Sequence, residues 1–539
     1  MTTKAPNPVD KYVGSRVRMR RIMLGMSQEK LGEALVEFGG NNKRITYAEM
    51  YPLVVKLANA LQGLGIERGQ NVAAMSVNSA DYVLTYYACA MLGVTFVPLN
   101  YRAKDEELTH MLNVSQCQAV FVSERYLDLV QRIRPTLTHT QHYIAYDGGK
   151  VAGFLDYDDL MANASEEEIW TDVDDKDATI IIFTSGTTAL PKGVQLTYLD
   201  MTAYVTNQQP ADPEVHEKVL VSAPFFHVAG ATTMMLAIWS GRTLVILPTF
   251  TPEDWLAAVQ AEGVTHAFVV PTMLKRIMEV PDFDKYDLSS LKSITYGAAP
   301  MPYEGVRRAC DIFPPRGIGL INAYGQTEST ATLTFLGPED HDLSTDTAVK
   351  EQRLRSVGRP MPDVELGIMD ERNRLLPPGQ EGEICVRSDR VMKGYYKQED
   401  ATSTAIIDGW LHTGAVGKLD EGGYLYITGR KKDLIIRGGE NISPGEIENV
   451  LEDRPDIEEA AVIGVPDVEW GEVVKAVIVP KAGKTVTAEA INAYAKSRLA
   501  SFKAPQYIAI VPELPRNHLG KVLKTDLRKV YGTPTNDGV

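Results

Sequence analysis

Four cysteines are few for 539 residues, and Cys89, Cys117, Cys310 and Cys385 are scattered along the chain. No pair has the spacing of a zinc knuckle or a redox motif, so the pattern excludes a disulfide scaffold and reads as free thiols in a reducing compartment. Long apolar runs are lacking too: none approaches the roughly 20 residues needed to cross a bilayer. Positive charge is in deficit. A net charge of −15 argues against nonspecific nucleic-acid binding and against a polybasic membrane anchor. It leaves room for a locally positive site. What remains is ordinary: 44% hydrophobic and 23% charged residues are the proportions of a globular protein with a packed core. A chain this long exceeds one core, so two to four structural units are expected. A cytoplasmic protein is the expectation, with no nucleic-acid partner and no transmembrane segment; a homodimer is compatible with the sequence.

The most informative stretch runs Ile181-Ile182-Phe183-Thr184-Ser185-Gly186-Thr187-Thr188-Ala189-Leu190-Pro191-Lys192-Gly193. A buried-strand pattern empties into hydroxyls and glycines, then into Pro-Lys-Gly. Gly186 and Gly193 permit backbone shapes that aim N–H groups at an anion. Thr184, Ser185, Thr187 and Thr188 add hydroxyls, and Lys192 adds a positive charge. This is the chemistry of a polyphosphate cradle. It is not a Walker A loop, because Gly193 rather than Ser or Thr follows the lysine.

The N-terminal segment reads differently. Val13 to Leu35 suggests a helix, a turn at Gly25, an N-cap at Ser27 and a second helix, resembling the opening of a repressor-type helix-turn-helix. Val36-Glu37-Phe38-Gly39-Gly40-Asn41-Asn42-Lys43 then stands where a recognition helix would be needed, so the half-motif cannot read DNA. Residues 1–43 are taken as a helical extension. From Arg44 onward strands and helices alternate, as in Ala48 to Leu64, Asn71 to Ser76, Asp81 to Leu92 and Val94 to Leu99. Such alternation predicts an α/β fold of parallel, helix-covered sheets. Gly/Pro turns between Ser356 and Arg387 add a small β-barrel-like subdomain, and the last hundred or so residues form a compact α+β unit.

A second constellation is Asn322-Ala323-Tyr324-Gly325-Gln326-Thr327-Glu328. Tyr324 offers a ring for stacking, Thr327 a hydroxyl, and Glu328 the hard carboxylate oxygen that Mg²⁺ prefers. Phe226-His227 is delivered by a strand to a glycine turn. Ser293 to Tyr296 ends in Gly297-Ala298-Ala299, small enough for a flat ring to approach the backbone.

Taken in order, these motifs resemble the adenylate-forming superfamily, and within it the AMP-forming acyl-CoA synthetases that act on fatty or aryl acids. The resemblance covers about Arg44 to Arg528. It implies a large adenylation domain at 44–429 and a small mobile domain at 430–539. It also implies ATP, Mg²⁺ and CoA as ligands. A carboxylic acid first attacks ATP to give an acyl-adenylate and pyrophosphate, and the CoA thiol then displaces AMP. By the same resemblance Thr184 to Thr188 and Lys192 cradle phosphates, Gly297, Ala298, Ala299, Asn322, Tyr324, Gly325 and Thr327 surround the nucleotide, and Glu328 holds the metal. His227 borders the acyl pocket. Arg430 reaches the nucleotide, Lys432 is the domain pivot, Gly438 and Gly439 line the CoA thiol tunnel, and Lys521 stabilises charge during adenylation.

Two positions depart from the family pattern. Ala189 stands where the family has Gly, and Ala415, in Thr413-Gly414-Ala415, stands where it has an Asp that binds the ribose hydroxyls. The alternative reading is therefore an impaired or engineered relative that binds nucleotide or acyl ligand with weak turnover.

Overall fold

The computed structural model describes residues 32–40, 42–184, 190–206, 216–438, 440–517 and 520–537. Among these residues the strands form four sheets. The largest has nine strands, with Lys218–Val221 and His266–Val269 near its centre. Its strands from Glu33–Glu37 across to Gly319–Gln326 run parallel. The second has eight strands, with Asn71–Met75 central and parallel to both neighbours. Three helices, Tyr47–Gly63, Ala80–Leu92 and Val228–Trp239, fill the space between the two sheets in one apolar core. The outer faces carry their own cores under Pro252–Glu262 and Asp105–Ser115. The expected α/β architecture of helix-covered parallel sheets is therefore observed.

Local signals explain the element ends. Thr46 and Glu49 form a reciprocal capping box that starts Tyr47–Gly63. Ser79 caps Ala80–Leu92, and Gly93, at φ +68°, closes it in the left-handed region.

One expectation fails. The second helix expected to run to Leu35 is absent at its described end: Glu33–Glu37 is a strand, parallel to Thr243–Ile246, with Ala34, Leu35 and Val36 fully buried. Its apolar run satisfies a helix pattern and a buried strand equally, and the open sheet edge decides. The Glu37 carboxylate accepts a hydrogen bond from Ala80 N at 2.6 Å, tying this strand to the first turn of Ala80–Leu92. The core sheet thus takes in residues ahead of the expected boundary at 44. The remainder of the half-motif, up to Leu31, lies outside the described residues.

The barrel-like subdomain is a five-stranded antiparallel sheet built around Gly382–Arg387 and Trp410–Leu419. The C-terminal unit is another five-stranded sheet, Gly471–Pro480 at its centre, packed against Pro444–Glu452 and Ala488–Arg498.

Candidate active site

Strands of the two large sheets converge on the segment that the sequence singles out. Thr184 ends Ala178–Thr184, and its backbone pairs with Lys192 at the start of the antiparallel strand Lys192–Thr197. Ser185, Gly186, Thr187, Thr188 and Ala189, between these two anchors, lie outside the described residues. The Lys192 ammonium sits 4.9 Å from the centre of the Tyr395 ring. Tyr395 belongs to the short strand Gly394–Tyr395, which pairs with Val194 and Gln195. Its hydroxyl donates to Glu328 Oε1 at 3.0 Å. Burial first, and then the Glu328 charge, push the Tyr395 phenol far above its usual pKa, so it remains a donor. The Glu328 carbonyl also accepts from Met392 N at 2.8 Å. Lys192 and Glu328, 136 positions apart by number, are joined through one tyrosine that sequence reasoning missed, since an aromatic beside a glycine carries no signal of its own.

Tyr324 and Gly325 lie on Gly319–Gln326, and Thr327 and Glu328 follow in a single 3₁₀ turn, Thr327–Ser329. A side chain at Gly325 would overlap the Ala331 carbonyl oxygen, and one at Gly297 would overlap that of Ala323. Glycine is required at both positions by this close approach of backbones. Asn322 pairs with Tyr296 across the parallel ladder, and Ala298 takes a left-handed φ of +68° at the end of Ser293–Gly297, with Ala299 next to it. The small-residue segment and the Tyr324 segment therefore share one edge. Burial pushes the Tyr324 phenol up to about 12, although the Thr413 hydroxyl and Arg430 charge oppose the shift. Tyr296 donates its hydroxyl to His341 Nε2 at 2.9 Å, while His341 Nδ1–H donates to Gly337 O at 2.7 Å. Burial of the ring lowers its pKa to about 4, which keeps it neutral.

His227 is the N-cap of Val228–Trp239, and its Nδ1 accepts from Ala229 N at 3.3 Å. The turn before it is pinned by buried Asn78, which donates to Ala223 O and accepts from Phe225 N. Arg430 ends Leu425–Arg430 and pairs with Ala415, whose N–H donates to Thr413 Oγ1 at 3.1 Å. The Ala415 methyl leaves no acceptor there. Lys432 is at the surface; desolvation by the surrounding segment, then repulsion from Arg430 and Arg528, lowers its pKa. Gly438 is exposed and abuts the Trp470 ring, while Gly439 lies outside the described residues. Lys521 follows Gly520 in a turn fixed by Asn517, whose side chain accepts from Lys521 N at 2.9 Å. Gly520 packs directly on Thr272 of the large-domain helix Pro271–Met278. The turn that carries Lys521 is thereby placed against the body holding the other residues.

Residues 27–396 match the AMP-binding enzyme family, and residues 446–521 match the AMP-binding enzyme C-terminal domain. The chain belongs to the AMP-binding enzyme family. It is 35% identical over 503 residues to a feruloyl-CoA synthase of Amycolatopsis, covering 92% of this chain and 96% of the relative. An indoleacetate–CoA ligase of Aromatoleum aromaticum is 34% identical, with 91% and 94% covered. Among solved structures, the amide bond synthetase McbA of Marinactinospora thermotolerans superposes with a TM-score of 0.84 at 28% identity, covering 96% of this chain and all of that one. The fatty acyl CoA synthetase of Mycobacterium tuberculosis gives 0.76 at 30% identity, with 97% and 99% covered. The relatives place this family member among the AMP-forming acid–CoA ligases.

Proposed function

We propose that this ligase activates an aromatic or fatty carboxylic acid with ATP and transfers the acyl group to CoA. The observation that carries the reading is the Lys192–Tyr395–Glu328 chain, which puts a cation and a hard carboxylate at the exit of a hydroxyl-rich loop. That is the donor set a metal-bound polyphosphate requires. Glu328 would hold Mg²⁺, which when bound neutralises phosphate charge; the hard oxygen, braced by Tyr395, fits that ion. Thr184 and Lys192 hold the phosphates, with Ser185 to Thr188 between them. Gly297 to Ala299 and Tyr324 take the adenine, and Lys521 stabilises charge developing as the acid attacks. His227, whose Nδ1 is committed to a backbone N–H, acts as a wall of the acyl pocket. Positioning and electrostatics supply most of the rate.

The second half-reaction requires the C-terminal domain to turn about the segment at Arg430 to Asp433, bringing Gly438 and Gly439 to the site. The feruloyl and indoleacetate relatives favour an aromatic acid. Pyrophosphate release with a panel of aromatic and fatty acids, with and without CoA, tests the proposal. Release that depends on one class of acid and an acyl-CoA product are expected. Acid-dependent release without any CoA product would overturn the transfer step, as the amide bond synthetase fold neighbour makes concrete. Absence of release across both classes would overturn the substrate assignment.

A further inference from the structure

We propose that Glu383, Cys385 and His412 form a binding site for a soft divalent cation such as Zn²⁺, whose entry displaces the Lys431 ammonium. The three side chains come from neighbouring antiparallel strands, Gly382–Arg387 and Trp410–Leu419, in a register that pairs Cys385 with His412. One oxygen, one sulfur and one nitrogen lie within 4.8 Å of one another. His412 Nδ1 faces both partners, at 3.5 Å from Cys385 Sγ and 3.0 Å from Glu383 Oε2. Tetrahedral zinc with Zn–S near 2.3 Å and Zn–N or Zn–O near 2.0–2.1 Å requires ligand separations of roughly 3.3–3.6 Å, which the two His412 separations approach, while Cys385 and Glu383 lie within 4.8 Å of each other. The donor set is borderline-soft, which selects Zn²⁺ over Mg²⁺.

Lys431 Nζ lies 2.9 Å from the same Glu383 oxygen that faces His412. Glu383 and His412 side chains are 9% and 8% exposed, whereas Lys431 is 57% exposed, so its side of the cluster is the entrance. A cation arriving there would take over the carboxylate, and the Cys385 thiol would release its proton to solvent on binding. The other Glu383 oxygen accepts from Gly414 N at 3.1 Å, next to Ala415. Occupancy therefore ties the Thr413–Ala415 turn to the metal and frees the lysine between Arg430 and Lys432. The site is a point of control over the segment about which the C-terminal domain connects.

The test uses the full-length chain with Co²⁺ as a spectroscopic probe in excess Mg²⁺. One Co²⁺ per chain with a thiolate charge-transfer band is expected, lost in both Cys385→Ser and His412→Asn proteins that retain their circular dichroism. Lys431→Ala removes the competing ammonium and should tighten Co²⁺ binding roughly fivefold. No band in the parent chain, or a band persisting in Cys385→Ser, overturns the site. Unchanged affinity in Lys431→Ala overturns the displacement.

Discussion

The strand Gly319–Gln326 and the turn that carries Lys521 both belong to the proposed ligand site, but they are held by different forces. The strand is fixed by backbone: it pairs on both sides, and at Gly325 no side chain fits beneath the Ala331 carbonyl. The unit that carries the Lys521 turn has cores of its own; it meets the large domain where Gly445 packs on the Thr428 carbonyl and, around that, through polar surface contacts. These include ion pairs Lys275–Glu458 and Arg355–Asp453, the latter at 2.9 Å with both side chains 37% exposed. Exposed pairs contribute about 0–1 kcal/mol each. The exposed part of the small unit's docking is thus weak, as the proposed two-step reaction in a single site would require.

The largest expected effect is at the rigid side. Gly325→Ala should force the two strands apart, costing about 1–3 kcal/mol of stability and roughly 100-fold in pyrophosphate release. Thermal unfolding and single-turnover kinetics read both. A stable, fully active variant would show that the site tolerates slack and would remove the contrast.

The pH dependence sharpens the same point. His341 is neutral in the fold with a pKa of about 4, below its ordinary 6.5. The unfolded chain therefore takes up a proton that the folded chain refuses. This contribution, about 3 kcal/mol, is full above pH 6.5 and is lost as the pH falls toward 4. Chemical denaturation of the parent chain and of His341→Gln across that window should differ in slope. Parallel curves would rule the assignment out.

Next is Ala415→Asp, which restores an acceptor beside Arg430. ATP affinity should rise roughly tenfold, as for a charged hydrogen bond, measured by calorimetry. No gain would mean the ribose is held elsewhere. The smallest effect belongs to the soft side: Asp453→Asn should change stability by less than about 1 kcal/mol. A larger loss by thermal unfolding would make the domain contact rigid after all.

Most of this architecture is legible in the sequence where periodicity and turn residues agree. The helix expected over Ala48 to Leu64 is Tyr47–Gly63, and the strand at Val94 to Leu99 is Thr95–Pro98. The Glu33–Glu37 strand is illegible because its side chains fit either period and only pairing with the distant strand Thr243–Ile246 selects one. The motif around Glu328 reads directly, since its donors are consecutive. Tyr395 and the Glu383–Cys385–His412 cluster do not, because their partners meet only through strand register. Ala415 is legible as a departure, but its pairing with Arg430 is visible only in three dimensions.

Measuring the two half-reactions separately in Lys521→Ala tests the role of the small domain most directly. Acid-dependent pyrophosphate release should fall roughly 100-fold or more, as when a charge-stabilising donor is removed. Acyl-CoA formation from a supplied acyl-adenylate should proceed at the parental rate. Equal loss in both steps, or no loss in the first, would contradict the assignment of Lys521 and with it a small domain that serves one site in two ways.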